Sequence, residues 1–413
     1  MKKALPLLLG FFVLAGLAMA QSEQEYIQAS GSVQFRHIGT YDLKRLNNIF
    51  NAELDDFLAG SPMPSPNFKG KFAAPKYPVR LFRVKYRSVV PEMGNRPTVS
   101  SGLVAIPETG KETMPMLSYQ HGTVFSKNSV PSVPDSSMET RLMIAQFAAQ
   151  GYIVIGADYH GLGISSIPNA YFVKGCTEQA CVDMLYAAQD VLAAKNIKPG
   201  KLFLHGWSQG GWNNMIFLRK LESLDIPVAA AATASAPLDI AATINRWMNN
   251  HQPIDAVYLP ACAAQFFFAK ENYNQFYDLP RRAIRPQYYQ AAKDFTGFSL
   301  DWPGLLQRTP KNLQEFLNPE FLTTGNLAGD NFWLLLESMQ AYRWRCKTPL
   351  INYYGEKDEV VPVYIARLAE DYHRLLGAGS TRAVSAGPDA DHRATYVYSI
   401  INVKPFFDAF LNP

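Results

Sequence analysis

The segment Gly206-Trp207-Ser208-Gln209-Gly210 places a serine between two glycines, at the end of an apolar run, and Gly211 follows. A serine hydroxyl is a weak nucleophile until a neighbouring base takes its proton. It must also stand clear of its own backbone to reach a substrate. Glycines two residues either side, Gly206 and Gly210, permit a sharp strand-to-helix turn that pushes the serine to the tip. The start of the following helix adds backbone N–H groups and a dipole that favour negative charge. The bland alternative is an ordinary strand–turn–helix with a surface serine.

A base and an acid are needed next, in the chain order serine, acid, histidine. Seven histidines are available. His205 falls in the strand leading to the serine, His373 in a helical pattern, and His251 in an insertion over 237–347. His37 precedes the sheet, and His121 and His160 follow earlier strands. His392, in the polar segment "GPDADHRATY" before a last helix, is the candidate base. For the acid, "PLINYYGEKDEVVP" carries a strand, a glycine turn and then Asp358, which is preferred. Glu356 is the second choice and Asp239 the third. Asp389 and Asp391 lie too near His392 in sequence to align behind its ring. The acid would fix the imidazole tautomer and stabilise the imidazolium.

A tetrahedral oxyanion needs donors. The Gln209 N–H, directly after the serine, is one. "SYQHGTVF" offers the other: Gly122 permits close approach, and Thr123 can present its N–H or hydroxyl. "DYHGLGIS" invites a dinucleotide reading through Gly161 and Gly163, but the third glycine is missing and Pro168 follows.

The elements that must position these groups follow from hydrophobic periodicity. Residues 79–90 and 98–107 alternate apolar and polar, as antiparallel strands at a sheet edge do. "MPMLSYQHG", "YIVIGADYHG", "KLFLHGWS", "VAAAATASAP" and "PLINYYGEKD" are less alternating, as strands buried on both faces are. Helical patterns over 138–150, 181–196, 211–224, 363–376 and 394–411 separate or follow them. The alternation predicts an α/β class with a mostly parallel sheet covered on both sides. Residues 237–347 break the rhythm, are rich in aromatic and amide residues, and predict a mainly helical insertion. Their Phe266–Phe268 and Trp333–Leu336 runs would pack either a substrate pocket or the insertion's own core. The expected organisation is a signal over 1–20, a helix and proline-rich connector over 21–78, sheet and helices over 79–236, the insertion over 237–347, and the rest of the sheet over 348–413.

Of the 413 residues, 48% are hydrophobic and 18% charged, which suits a packed core. A net charge of +4 without a lysine–arginine block gives no nucleic-acid footprint. Lys2 and Lys3, an apolar run, and Ala18-Met19-Ala20 read as an export signal, with the mature protein periplasmic or secreted and without a stable membrane span. Export permits disulfides. Cys176 with Cys181 and Cys262 with Cys346 is the simplest of three pairings, and the first bridge requires Cys176 in a loop. The alternative is four unpaired small hydrophobes. No cysteine–histidine spacing suggests a metal.

"YQHGT", "ADYHGLG" and "GWSQGG" together resemble the α/β-hydrolase superfamily over roughly residues 79–413, and within it the secretory lipase group and its bacterial relatives. The resemblance implies a mostly parallel sheet with a helical cap at the insertion. It implies Ser208 as nucleophile, Asp358 as acid, His392 as base, and Gly122 and Thr123 as the oxyanion loop. The expected activity is cleavage of small-molecule or lipid carboxylic esters through an acyl-enzyme, without a cofactor. A peptidase or amidase using the same triad is the alternative, with Glu271, Arg281, Arg282 and Arg285 as a possible charged subsite. A non-catalytic binding protein on the same scaffold is the remote one.

Overall fold

A strand covered on both faces should be apolar throughout, and β6 (Ile153–Ala157) and β8 (Ala230–Ala234) are buried at every residue. The computed structural model describes residues 25–322 and 331–411, and the expected signal lies outside them. The other strands are β1 (Ile27–Gln28), β2 (Val33–Tyr41), β3 (Val79–Val90), β4 (Arg96–Pro107), β5 (Thr113–Gln120), β7 (Lys198–Trp207), β9 (Leu350–Tyr354) and β10 (Thr381–Ser385). They form one sheet in the order β1-β2-β3-β4-β6-β5-β7-β8-β9-β10. Pairings from β1 to β4 and between β4 and β6 are antiparallel, and the rest are parallel.

Helices cover both faces. Trp212 and Phe217, on the helix Gln209–Ser223, belong to one core. Leu142 of the helix Met138–Gln146 and Ile400 of the helix His392–Asp408 belong to the other. Residues 240–338 are mainly helical where described, and their Phe266, Phe267 and Phe268 are buried in the first core. In the second aromatic run, Leu336 is buried while Leu334 is exposed.

Three expectations change. β3 and β4 are not the sheet edge, because β2 pairs with β3 and β1 with β2. The signal for β2 was present: Val33 and Phe35 alternate with Gln34 and Arg36, and both apolar side chains are buried. His37 therefore sits within the sheet. The helical pattern after it begins at Leu43, and its middle, Ile49–Glu53, is wound as a π-helix. Finally, all four cysteines are free and buried. Cys176 and Cys181 share the helix Lys174–Ala193. Five residues of helix separate them by about 7.5 Å along the axis, beyond disulfide reach. Cys262 lies on the helix Leu259–Asn274, whereas the Cys346 thiol points at the Glu222 carboxylate and the Thr348 carbonyl.

Candidate active site

β7 ends at Trp207, and Gln209 opens the next helix, so Ser208 alone makes the turn. Its backbone has φ 58° and ψ −125°, a conformation costly for a residue with a side chain. Three neighbours tolerate it by lacking a Cβ. One added at Gly206 would run into the Gly210 carbonyl, one at Gly210 into the Gln120 carbonyl, and one at Gly211 would lie 2.6 Å from Ala236 Cβ. The Ser208 N–H donates to the Ala234 carbonyl at 2.9 Å, which ties the turn to β8.

Asp358 and His392 meet although they lie 34 positions apart. His392 Nδ1 is 2.9 Å from Asp358 Oδ1 and 3.1 Å from Oδ2. Oδ1 also accepts the backbone N–H groups of Val360 (2.9 Å) and Val361 (2.8 Å), so the carboxylate is aimed by its own loop. Burial pushes the Asp358 carboxyl up, but the imidazole and its hydrogen bond outweigh that and hold it below the usual range. Burial pulls His392 down, while Asp358 and then Glu359 more than offset it, so its basicity is raised.

Ser208, Gln209, Thr123 and His392 all line one cavity of about 290 Å³. Among the described residues no hydrogen bond joins Ser208 to His392. The apolar part of the wall includes Phe125, Trp247, Tyr258, Trp302, Val360 and Val361. Phe125 stacks on Trp302 with centroids 5.0 Å apart. Thr123 Oγ1 is 2.8 Å from the Tyr171 hydroxyl. Gly122 is close, but its N–H is bound to Glu139 Oε2 at 2.8 Å.

The other candidate acids are engaged elsewhere. Glu356 accepts the Ser385 hydroxyl at 2.7 Å. Asp239 caps the helix Ile240–Asn249 through the Ala242 N–H. Asp389 pairs with Lys357, and Asp391 caps the helix that begins at His392. Glu271 lines a separate groove, Arg281 lies over the Tyr289 ring, and Arg285 donates to the Leu317 carbonyl. None of these, nor Arg282, is among the residues lining the Ser208 cavity. The motif "DYHGLGIS" is structural. Buried Asp158 accepts the Ser101 hydroxyl and the Ser132 N–H, and a Cβ at Gly163 would strike its carboxylate.

A strained serine on a β7-to-helix turn, with an acid after β9 and a histidine after β10, decides the fold type. The fold is that of the α/β-hydrolases. No family model matches the chain, and no curated protein matches it in sequence. Among solved structures, a Legionella pneumophila protein whose hydrolase assignment is provisional superposes with a TM-score of 0.78. It is 22% identical, and the match covers 94% of this chain and 98% of that one. The rice cell wall degrading esterase LipA of Xanthomonas oryzae gives a TM-score of 0.75 at 18% identity, covering 93% and 98%. Candida antarctica lipase A in its closed state gives 0.68 at 17% identity, covering 94% and 83%.

Three groups at this site escape a reading of the sequence. Glu139 lines the cavity yet reads as an acidic first-turn helix residue. Glu359 accepts the His392 backbone N–H at 3.0 Å, but in sequence it is one more acid beside Asp358. Tyr171 carried no signal of its own.

Proposed function

We propose that this protein is an exported serine hydrolase that cleaves carboxylic esters through an acyl-enzyme. The observation that carries the reading is the Asp358–His392 hydrogen bond at 2.9 Å, with His392 in the cavity wall that also holds the strained Ser208. His392 takes the Ser208 proton as Oγ attacks the ester carbonyl. Asp358 holds Nδ1 protonated, which leaves Nε2 free to accept, and it stabilises the imidazolium. The Gln209 N–H opens the helix, where no preceding turn supplies a carbonyl, and can donate to the oxyanion. Tyr171 can donate to Thr123 Oγ1 and leave the threonine proton for that same oxygen. The imidazolium then protonates the leaving alcohol, and a water activated by His392 releases the acid.

A largely aromatic wall around about 290 Å³ suits an acyl or aryl group with few polar anchors. The esterase and lipase names of the structural neighbours support ester chemistry. Export rests on the N-terminal sequence, with cleavage near Ala20. No helix among the described residues is long and apolar enough to cross a membrane.

A fluorophosphonate probe tests the nucleophile. Labelling of the wild type that is lost in Ser208→Ala is expected, and a folded wild type that does not label removes the enzyme reading. p-Nitrophenyl esters of increasing chain length, run against aminoacyl anilides, then separate esterase from peptidase. Turnover of anilides in preference to every ester would overturn the ester assignment.

A further inference from the structure

A carboxyl group outside the triad holds the oxyanion loop. Glu139 is the second residue of the helix Met138–Gln146, and it is only 9% exposed although it forms part of the cavity wall. Its Oε2 accepts the Gly122 N–H at 2.8 Å and also the Tyr119 hydroxyl. A Cβ on Gly122 would lie 3.1 Å from Glu139 Oε1 and 3.3 Å from the Trp207 carbonyl oxygen. The loop is thus clamped between this carboxyl and the residue that precedes the nucleophile. The next peptide is fixed as well, since His121 Nδ1 lies 2.8 Å from the Gly122 carbonyl oxygen. In a trans peptide the C=O and N–H point in opposite directions, so the Thr123 N–H is turned away from the His121 ring.

Glu139 also reaches the helix that carries the base. Its backbone carbonyl accepts the Tyr396 hydroxyl at 2.8 Å. Tyr396 stacks on Trp207 with centroids 4.9 Å apart, and Trp207 Nε1 donates to the His392 carbonyl at 3.1 Å. One residue therefore touches the oxyanion loop and, through one tyrosine, the elbow and the base.

We propose that Glu139 is a positioning residue that fixes the oxyanion loop against the nucleophile elbow and so acts on the transition state rather than on substrate binding. This rests on the serine hydrolase reading of Ser208. Burial pushes the Glu139 carboxyl up to about 7, against the opposing pull of the Gly122 and Tyr119 hydrogen bonds and of His392 and Arg393. Both donors need only an acceptor at Oε2, which a glutamine carbonyl also supplies.

The test measures kcat and KM on p-nitrophenyl butyrate, together with affinity for a trifluoromethyl ketone that forms an oxyanion on Ser208. Glu139→Ala should lower kcat about 10–10²-fold through misplacement of the loop, with KM nearly unchanged. Ketone affinity should fall by the same factor, because the ketone reports transition-state binding. Glu139→Gln should keep most of the wild-type kcat. If the alanine variant does not fold, Glu139→Asp carries the test, since it withdraws the acid by one methylene and should show the same paired loss. Unchanged kcat and ketone affinity in the folded variants, or a loss confined to KM, overturns the proposal. Fluorophosphonate labelling of the wild type is read first. If it is absent, the Ser208 reading fails. If it is normal and the Glu139 variants match the wild type, only the role of Glu139 fails.

Discussion

Asp358→Asn should abolish most turnover by removing the charge behind the imidazole and admitting the wrong tautomer, and the geometry dictates which way the new amide turns. Asp358 Oδ1 accepts two backbone N–H groups, from Val360 at 2.9 Å and Val361 at 2.8 Å. An asparagine must keep its carbonyl oxygen there, because an NH₂ would face two donors. The NH₂ then occupies the place of Oδ2, 3.1 Å from His392 Nδ1. The carbonyl oxygen stays 2.9 Å from Nδ1, but the amide lacks the charge that stabilises the imidazolium, and wherever its NH₂ donates to Nδ1 the ring proton moves to Nε2, the atom that should take the Ser208 proton. The same change in a serine protease triad costs about 10⁴ in kcat, or ~5.4 kcal/mol of transition-state stabilisation. The loop should keep its fold, since both backbone bonds survive. The assay is kcat on a p-nitrophenyl ester, with thermal unfolding as the control for folding. A folded variant within about tenfold of wild-type turnover would refute the tautomer argument. It would mean that another group orients the ring.

Two further outcomes follow from the same environment. The acidic limb of the kcat/KM profile should lie above the ordinary histidine value of 6.5, because Asp358 and Glu359 raise His392 despite burial. Glu359→Gln keeps an acceptor for the His392 N–H but removes a charge, so the limb should move to lower pH; a limb that stays put or rises contradicts this. The four buried thiols should be silent to a thiol reagent in the native protein, with burial pushing Cys262 up to about 12. Denaturation without reductant should then release all four, and recovery of two or none would restore the disulfide pairing.

Local signals were legible and long-range ones were not. The glycine spacing around Ser208 announced a turn because the requirement is steric and confined to six residues. Asp358 could be chosen because the sequence strand–Gly355–turn is itself local, and it meets His392 as expected. The parallel strands were readable as unbroken apolar runs. β2 left only a short signal, because four of its nine residues alternate cleanly before a bulge between His37 and Gly39. The cysteine pairing failed through an unseen helix start: the helix opens at Lys174 rather than after Cys176, and Glu92 fixes that start by accepting the Gly175 N–H at 2.7 Å from another part of the chain. Glu139 and Glu359 were invisible for a related reason. An acid in a helix's first turn or in a charged loop is usually solvated, and only tertiary packing buries Glu139 and half-buries Glu359.

The placement of His392 explains why a second acid belongs beside it. The residue is the first of the helix His392–Asp408, where the helix dipole disfavours a cation by roughly 0.3–1 kcal/mol, and burial disfavours it further. A catalytic base in that position would resist becoming imidazolium. A carboxylate about 4 Å away at an effective dielectric near 20 offers about 4 kcal/mol, which exceeds the dipole term several-fold. Asp358 supplies this at the ring, and Glu359 supplies a second charge at the backbone N–H, 3.0 Å from its Oε2. Because both come from one short loop after β9, any shift of that loop moves ring and main chain together. The helix start that makes the imidazolium costly is also the donor end that Glu359 needs, so the same backbone geometry creates the problem and the handle that offsets it.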